Sequence, residues 1–375
     1  MMTAKLKAPF PWFGGKSRVD DLVWARFGQV RNYVEPFAGS LAVLLGRPNP
    51  SGTETVNDID CYVANFWRAV SADPVAVAAH ADNPVNEADL HARHLWLVNQ
   101  AEFRERMKTD PEFFDVRVAG WWVWGISCWI GGGWCALRER PWQQRPHLGP
   151  HATGQGVHKK IPALHPKGGQ GVAFKRPMLH PAKAGPGVRQ ALFDVERCMP
   201  EVSVRAARGS VRHQIPDLCM GAKGSNVSDD LASWFAALCD RLRSVRVVCG
   251  DWLRVLGDTP LGLTSNMSPQ FKTAVFLDPP YDGELRDAGI YAQDSNTISA
   301  AVRAWAIEHG GDPRLRIALC GYEGEHQMPD TWECVAWKAA GGYGNRTGND
   351  NANLERIWFS PYCLRPGQGQ GELAL

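Results

Sequence analysis

The chain has 375 residues, 44% of them hydrophobic and 21% charged, with a formal net charge of +2. This is the balance of an ordinary globular protein with one large domain or two. No stretch reaches the ~18 uninterrupted apolar residues of a membrane-spanning helix, and residues 1–7 lack the apolar core of a secretory signal. The 10 cysteines form no Cys-x-x-Cys pair, which argues against structural zinc and fits a reduced, cytoplasmic setting.

In chain order, the first informative string is Trp12-Phe13-Gly14-Gly15-Lys16. Its glycines permit close backbone approach, and its lysine suits an anionic or carbonyl group. A helical pattern at 17–27 and a strand at 32–37 follow. The strand runs into Glu35-Pro36-Phe37-Ala38-Gly39-Ser40, where a glycine turn lets a small ligand lie across the strand end and the acid can receive an ammonium. A second strand at 54–57 closes on Asn57-Asp58-Ile59-Asp60, an acid placed for bidentate bonding to ribose hydroxyls. A helix is expected at 61–72.

The middle of the chain breaks this rhythm. Residues 73–117 read as helical and polar. The aromatic run from Trp121 to Trp129 reads as a buried helix, and 131–134, with its glycine triplet, as a substrate-facing loop. From 140 to 193 there is no acidic residue, while Arg140, Arg145, Lys159, Lys160, Lys167, Lys175, Arg176, Lys183 and Arg189 supply positive charge. The string beginning Gly154-Gln155-Gly156-Val157 returns at Gly169-Gln170-Gly171-Val172, with a weaker copy from Gly185. A one-sign segment of this length is suited to a polyanion. Its histidines lack acidic or cysteine partners, so no metal is expected.

Beyond it, a helix at 229–242 with Ser228 as N-cap leads to a strand at 245–249 and then to Asp251-Trp252. There an acid can accept from an adenine amine and an indole can pack on the ring. The strand at 274–277 ends on Asp278-Pro279-Pro280-Tyr281. The carboxylate and proline carbonyl are acceptors and the tyrosine is a flat face, a set suited to a planar substrate with an exocyclic amine. A helix at 299–309 and a strand at 315–320 follow, and the runs 332–337 and 354–359 pair as an antiparallel hairpin at the sheet edge. Alternating strands and helices imply an α/β fold, a mostly parallel sheet with helices on both faces.

Taken together, these strings resemble the Dam-like (D12 class) DNA N6-adenine methyltransferases, which carry W-x-G-G-K, E-P-F-x-G, an acid after the second strand and D-P-P-Y in this order. The resemblance covers roughly residues 8–72 and 228–362. It implies a Rossmann-like S-adenosylmethionine-dependent methyltransferase sheet with an inserted target-recognition region. Residues 1–72 and 226–365 would be catalytic, 73–225 the DNA-binding insertion, and 366–375 a flexible tail. S-adenosylmethionine is the implied cofactor and double-stranded DNA the implied partner. Trp12, Gly14, Gly15 and Lys16 would line the cofactor site, with Glu35, Pro36, Phe37 and Gly39 at the methionine part and Asp58 at the ribose. Asp251 and Trp252 would meet the cofactor's adenine. Asp278, Pro279, Pro280 and Tyr281 would hold the target base, with Asp278 also bordering the cofactor. The nine basic residues of 140–193 would contact phosphates.

One position departs from the family pattern: where E-P-F-x-G-x-G has its second glycine, this chain has Leu41, so a different backbone path is expected at Ser40–Leu41. Two other activities fit the same residues: methylation of N4 in cytosine, and a DNA-binding relative without catalysis. Recognition sequence, a restriction partner and oligomeric state have no signature in the chain.

Overall fold

The computed structural model describes residues 6–12, 15–129, 134–135, 227–264, 270–281, 296–338 and 354–365. Among these, seven strands form one sheet: β1 (Asn32–Glu35), β2 (Thr53–Asp58), β3 (Val245–Cys249), β4 (Thr273–Leu277), β5 (Leu315–Tyr322), β6 (Glu333–Ala336) and β7 (Glu355–Phe359). Their order is β3-β2-β1-β4-β5-β7-β6. The first five are parallel, whereas β7 runs antiparallel to β5 and β6 antiparallel to β7. The edge hairpin expected from 332–337 and 354–359 is therefore present.

Strands buried on both faces read as continuous apolar runs, and alternate residues serve opposite faces. In β4, Ala274 and Phe276 belong to one core while Val275 and Leu277 belong to the other. Tyr33 and Val34 of β1 divide in the same way. The first core is roofed by α1 (Asp20–Phe27), α2 (Ala42–Leu45), α3 (Cys61–Ala72), α7 (Val116–Cys128) and α8 (Val227–Leu242). The second lies under α9 (Asp258–Leu261) and α10 (Asn296–His309), through Leu261, Val302, Trp305 and Ala306. Helix α8 starts one residue before Ser228, so that serine falls in the first turn and not at the cap. Among the described α-helices, side-chain caps form at Asp60, Asp73, Asn86 and Asp115, each accepting a backbone N–H at the start of its helix.

The stretch read as polar helix is helical but not peripheral. It comprises α4 (Pro74–Ala81), α5 (Glu87–Val98) and α6 (Ala101–Thr109). Each turns an apolar stripe inward, burying Val77, Leu90, Leu97, Phe103 and Met107 in the core that backs the sheet. Helix α7 carries the aromatic run and is buried as expected, with Trp122 and Trp124 inside. Trp134, expected to face substrate, is buried instead: its indole seats on Gly125 and its Nε1 donates to the Trp122 carbonyl at 3.1 Å. A side chain as large as tryptophan gains more from burial beside Trp129 and His94 than from lining an open loop. The basic repeats lie outside the described residues.

Chain on either side of those repeats is tied together at Glu54 of β2. Its carboxylate accepts from Arg47 at 2.9 Å and, through both oxygens, from Arg241 of α8 at 2.7 and 2.8 Å. A bidentate guanidinium–carboxylate pair fixes orientation as well as distance, so α8 returns to the sheet in one register.

Candidate active site

In an open α/β sheet, ligands bind beyond the carboxyl ends of the parallel strands where the strand order reverses. Here that point lies between β1 and β4, which are neighbours in the sheet. β1 ends on Glu35, the loop after it carries Pro36 to Gly39, and Asp278 follows β4 directly. Asn57, at the end of β2, staples the adjacent strand ends: its Nδ2 donates to the carbonyls of Pro36 and Gly250, both at 3.0 Å. No sequence signal marked Asn57, because amide side chains are common at strand ends.

Gly39 has φ +46, and a Cβ there would collide with the Trp12 indole. Its carbonyl accepts from Trp67 Nε1 at 2.9 Å and its N–H donates to Asp58 Oδ2 at 2.9 Å. Only glycine meets both the conformation and the approach. Leu41 has φ 56 and ψ 26, the left-handed conformation that glycine adopts without strain. The leucine takes this glycine-like conformation, and its fully buried side chain offsets the cost.

The carboxylates at the strand ends differ in their surroundings. Glu35 is 3% exposed and accepts from Tyr33 Oη at 2.8 Å. Burial, reinforced by the nearby charge of Asp278 and only partly relieved by Tyr33, pushes its pKa up to about 8. Asp58 lies at the rim. Its oxygens accept from the N–H groups of Gly39 and Asp60, each at 2.9 Å. Burial, with Asp60 beside it, raises its pKa to about 7. Each Asp58 oxygen therefore has one lone pair engaged, and the open bidentate carboxylate expected from the sequence is half committed to its own turn. Asp251 is exposed and accepts from the N–H of Leu253 at 2.9 Å. Beside it, Trp252 stacks on Phe37 with ring centroids 6.1 Å apart and planes at 25°.

Asp278 is 19% exposed, and its Oδ1 lies 2.8 Å from Lys16 Nζ, a side chain only 3% exposed. Burial alone opposes the lysine's charge, but Asp278 and Glu355 outweigh it and raise the pKa. Lys16 also donates to Tyr281 Oη at 2.9 Å, and Tyr281 donates to Glu355 Oε2 at 2.9 Å. Two of the three donors of the ammonium are thus directed at the tetrapeptide. Pro279 is buried and Pro280 half-buried. The Tyr281 ring is 7% exposed and packs edge-on against Tyr322 at 4.7 Å. The open stacking face expected of Tyr281 is accordingly covered, because its hydroxyl anchors the ring inward.

Of the expected site residues, Trp12, Gly15, Lys16, Glu35, Pro36, Phe37, Gly39, Asp58, Asp251, Trp252, Asp278, Pro279, Pro280 and Tyr281 all lie at this edge or on the loops leading from it. Gly14 and the nine basic residues fall outside the described residues. Sequence reasoning missed Glu355, Tyr322 and Asn57. Among the described residues, no group of three or more His, Cys, Asp or Glu could hold a metal ion, and no helix is long and apolar enough to cross a membrane.

The seven-stranded, mostly parallel sheet gives a mixed α/β fold consistent with that of a methyltransferase. Residues 12–118 match the family model described as D12 class N6 adenine-specific DNA methyltransferase. The match supports adenine methylation of DNA as the chain's activity. No curated protein matches it.

Proposed function

We propose that the enzyme transfers a methyl group from S-adenosylmethionine to N6 of an adenine flipped out of duplex DNA, with Asp278 as the residue that activates the amine. The observation that carries this reading is the Lys16–Asp278 pair at the β1/β4 switch point.

The donor set fits the cofactor. A buried acid, Glu35, suits an α-ammonium; Asp58 keeps lone pairs for a ribose hydroxyl; Asp251, Trp252 and Phe37 offer an acceptor beside flat aromatic surface for adenine. When bound, S-adenosylmethionine supplies a methyl carbon activated by a positively charged sulfur.

The protein's task is to make a poor nucleophile reactive. The lone pair of an aromatic amine is delocalised into its ring. Asp278 accepts one N–H of the amine and the Pro279 carbonyl the other, which draws the nitrogen toward tetrahedral geometry and localises that lone pair. The same carboxylate faces the positive charge that develops on nitrogen and accepts the proton lost as the N–C bond forms. Lys16 occupies one oxygen of Asp278, holding the carboxylate aimed. Extruding the base costs a few kcal/mol, offset by contacts in the pocket and by phosphate contacts from the basic segment 140–193. Target recognition is assigned to the inserted region, 73–225, and catalysis to 1–72 and 226–365.

The test is Asp278→Ala with labelled S-adenosylmethionine and duplex DNA. Transfer should vanish while cofactor affinity stays near wild type, and N6-methyladenine should be the product found by nucleoside mass analysis of wild-type reactions. Wild-type turnover in the variant would sink the assignment.

A further inference from the structure

We propose that Glu355 is a positioning residue for methyl transfer, acting on Asp278 through a buried relay of Tyr281 and Lys16. This rests on the function proposed above and extends it to a residue outside every recognised motif.

The strand direction explains why a residue so late in the chain reaches the site. Because β7 runs against the parallel strands, its first residue, and not its last, lies at the edge where β1, β4 and β5 end. Glu355 is that first residue, in register with Tyr322 on β5. It is 3% exposed, a costly place for a carboxylate unless it is paired and hydrogen-bonded.

The bonds run in one direction. Glu355 Oε2 accepts a hydrogen bond from the Tyr281 hydroxyl, which leaves the phenol oxygen to accept from Lys16, whose ammonium also donates to Asp278 Oδ1. An ionised Glu355 can only accept. It therefore keeps the Tyr281 hydroxyl from turning to donate toward Asp278, and leaves Asp278 Oδ2 for the substrate amine. One cation between two carboxylates leaves the cluster with a net negative charge, complementary to the charge that builds on N6. The charged and titratable groups facing Glu355 are Lys16, Asp278, Tyr281, Glu325, Cys320 and, through Asp278, Glu35. Burial, followed by the like charge of Asp278, raises the Glu355 pKa against the pull of Lys16. The ionised, active form should therefore be lost at a higher pH than an ordinary glutamate would require.

The experiment is the single-turnover rate at saturating cofactor and DNA, across pH, for wild type, Glu355→Gln, Tyr281→Phe and the double variant. Glu355→Gln should slow transfer on the order of 10- to 100-fold, keep cofactor affinity, and lose the acid limb that wild type shows. Tyr281→Phe should lose the same limb, and the double variant should be no slower than the worse single one. Should Glu355→Gln fail to fold, Tyr281→Phe decides alone. Wild-type rate and acid limb in the variants overturn the relay while leaving the proposed function intact. Absence of adenine methylation by the wild-type chain at every pH overturns both.

Discussion

Lys16, ahead of the first helix, and Asp278, at the end of β4, meet at 2.8 Å with the lysine almost wholly buried. The family match ends at residue 118, so the pair joins a matched residue to one the match does not reach. Removing one partner of a buried pair leaves the other charge uncompensated. Lys16→Gln should therefore destabilise the fold by about 3 kcal/mol and slow methyl transfer roughly 100-fold. Urea unfolding and single-turnover assays check both, and an unaltered rate would remove Lys16 from the mechanism.

Glu35 predicts a pH effect of definite sign. Burial holds its folded pKa at about 8, above the ordinary glutamate value, so the folded protein retains a proton that the unfolded chain has lost. That contribution to stability is present below the unfolded pKa and fades as pH rises toward 8. An ammonium arriving at Glu35 reverses the preference and expels the proton. Cofactor affinity should therefore rise between pH 6 and pH 8, with proton release visible by calorimetry in buffers of different ionisation enthalpy. Glu35→Gln should abolish both the release and the slope.

Leu41 separates backbone strain from burial. Restoring glycine relieves a left-handed leucine, worth about 1 kcal/mol, but removes a fully buried side chain worth roughly 2–5 kcal/mol. Leu41→Gly should be net destabilising by roughly 1–4 kcal/mol, with cofactor affinity changed by less than about threefold. A more stable variant would mean that strain dominates at this loop.

The basic segment predicts a salt effect. Each phosphate neutralised contributes about −0.9 to the slope of log affinity against log salt. Lys159→Ala with Lys160→Ala should reduce that slope by about 2 while leaving the rate at saturating DNA unchanged. An unchanged slope would take these two lysines out of the DNA contact.

The strands and the acids that follow them were legible because each is local: a short apolar run buried on both faces, then a glycine, a proline or an acid at its end. Predicted bounds for the helix Cys61–Ala72 and the strand Val245–Cys249 needed no tertiary information. The inward packing of α4 to α6 was less legible, since their polar faces outweigh narrow apolar stripes in composition. The covered face of Tyr281 and the half-committed oxygens of Asp58 depend on partners that the local strings do not name.

By itself, then, the sequence determined which residues end the parallel strands and in what order, because periodicity and turn chemistry act over a few residues. Only the tertiary structure decided what those residues face. Reversal of β7 brings Glu355 to the edge where β4 ends, and burial turns Lys16, Asp278, Tyr281 and Glu355 into one charged cluster. Pairing across such distances is set by sheet order and desolvation, neither of which is written in any single stretch of chain.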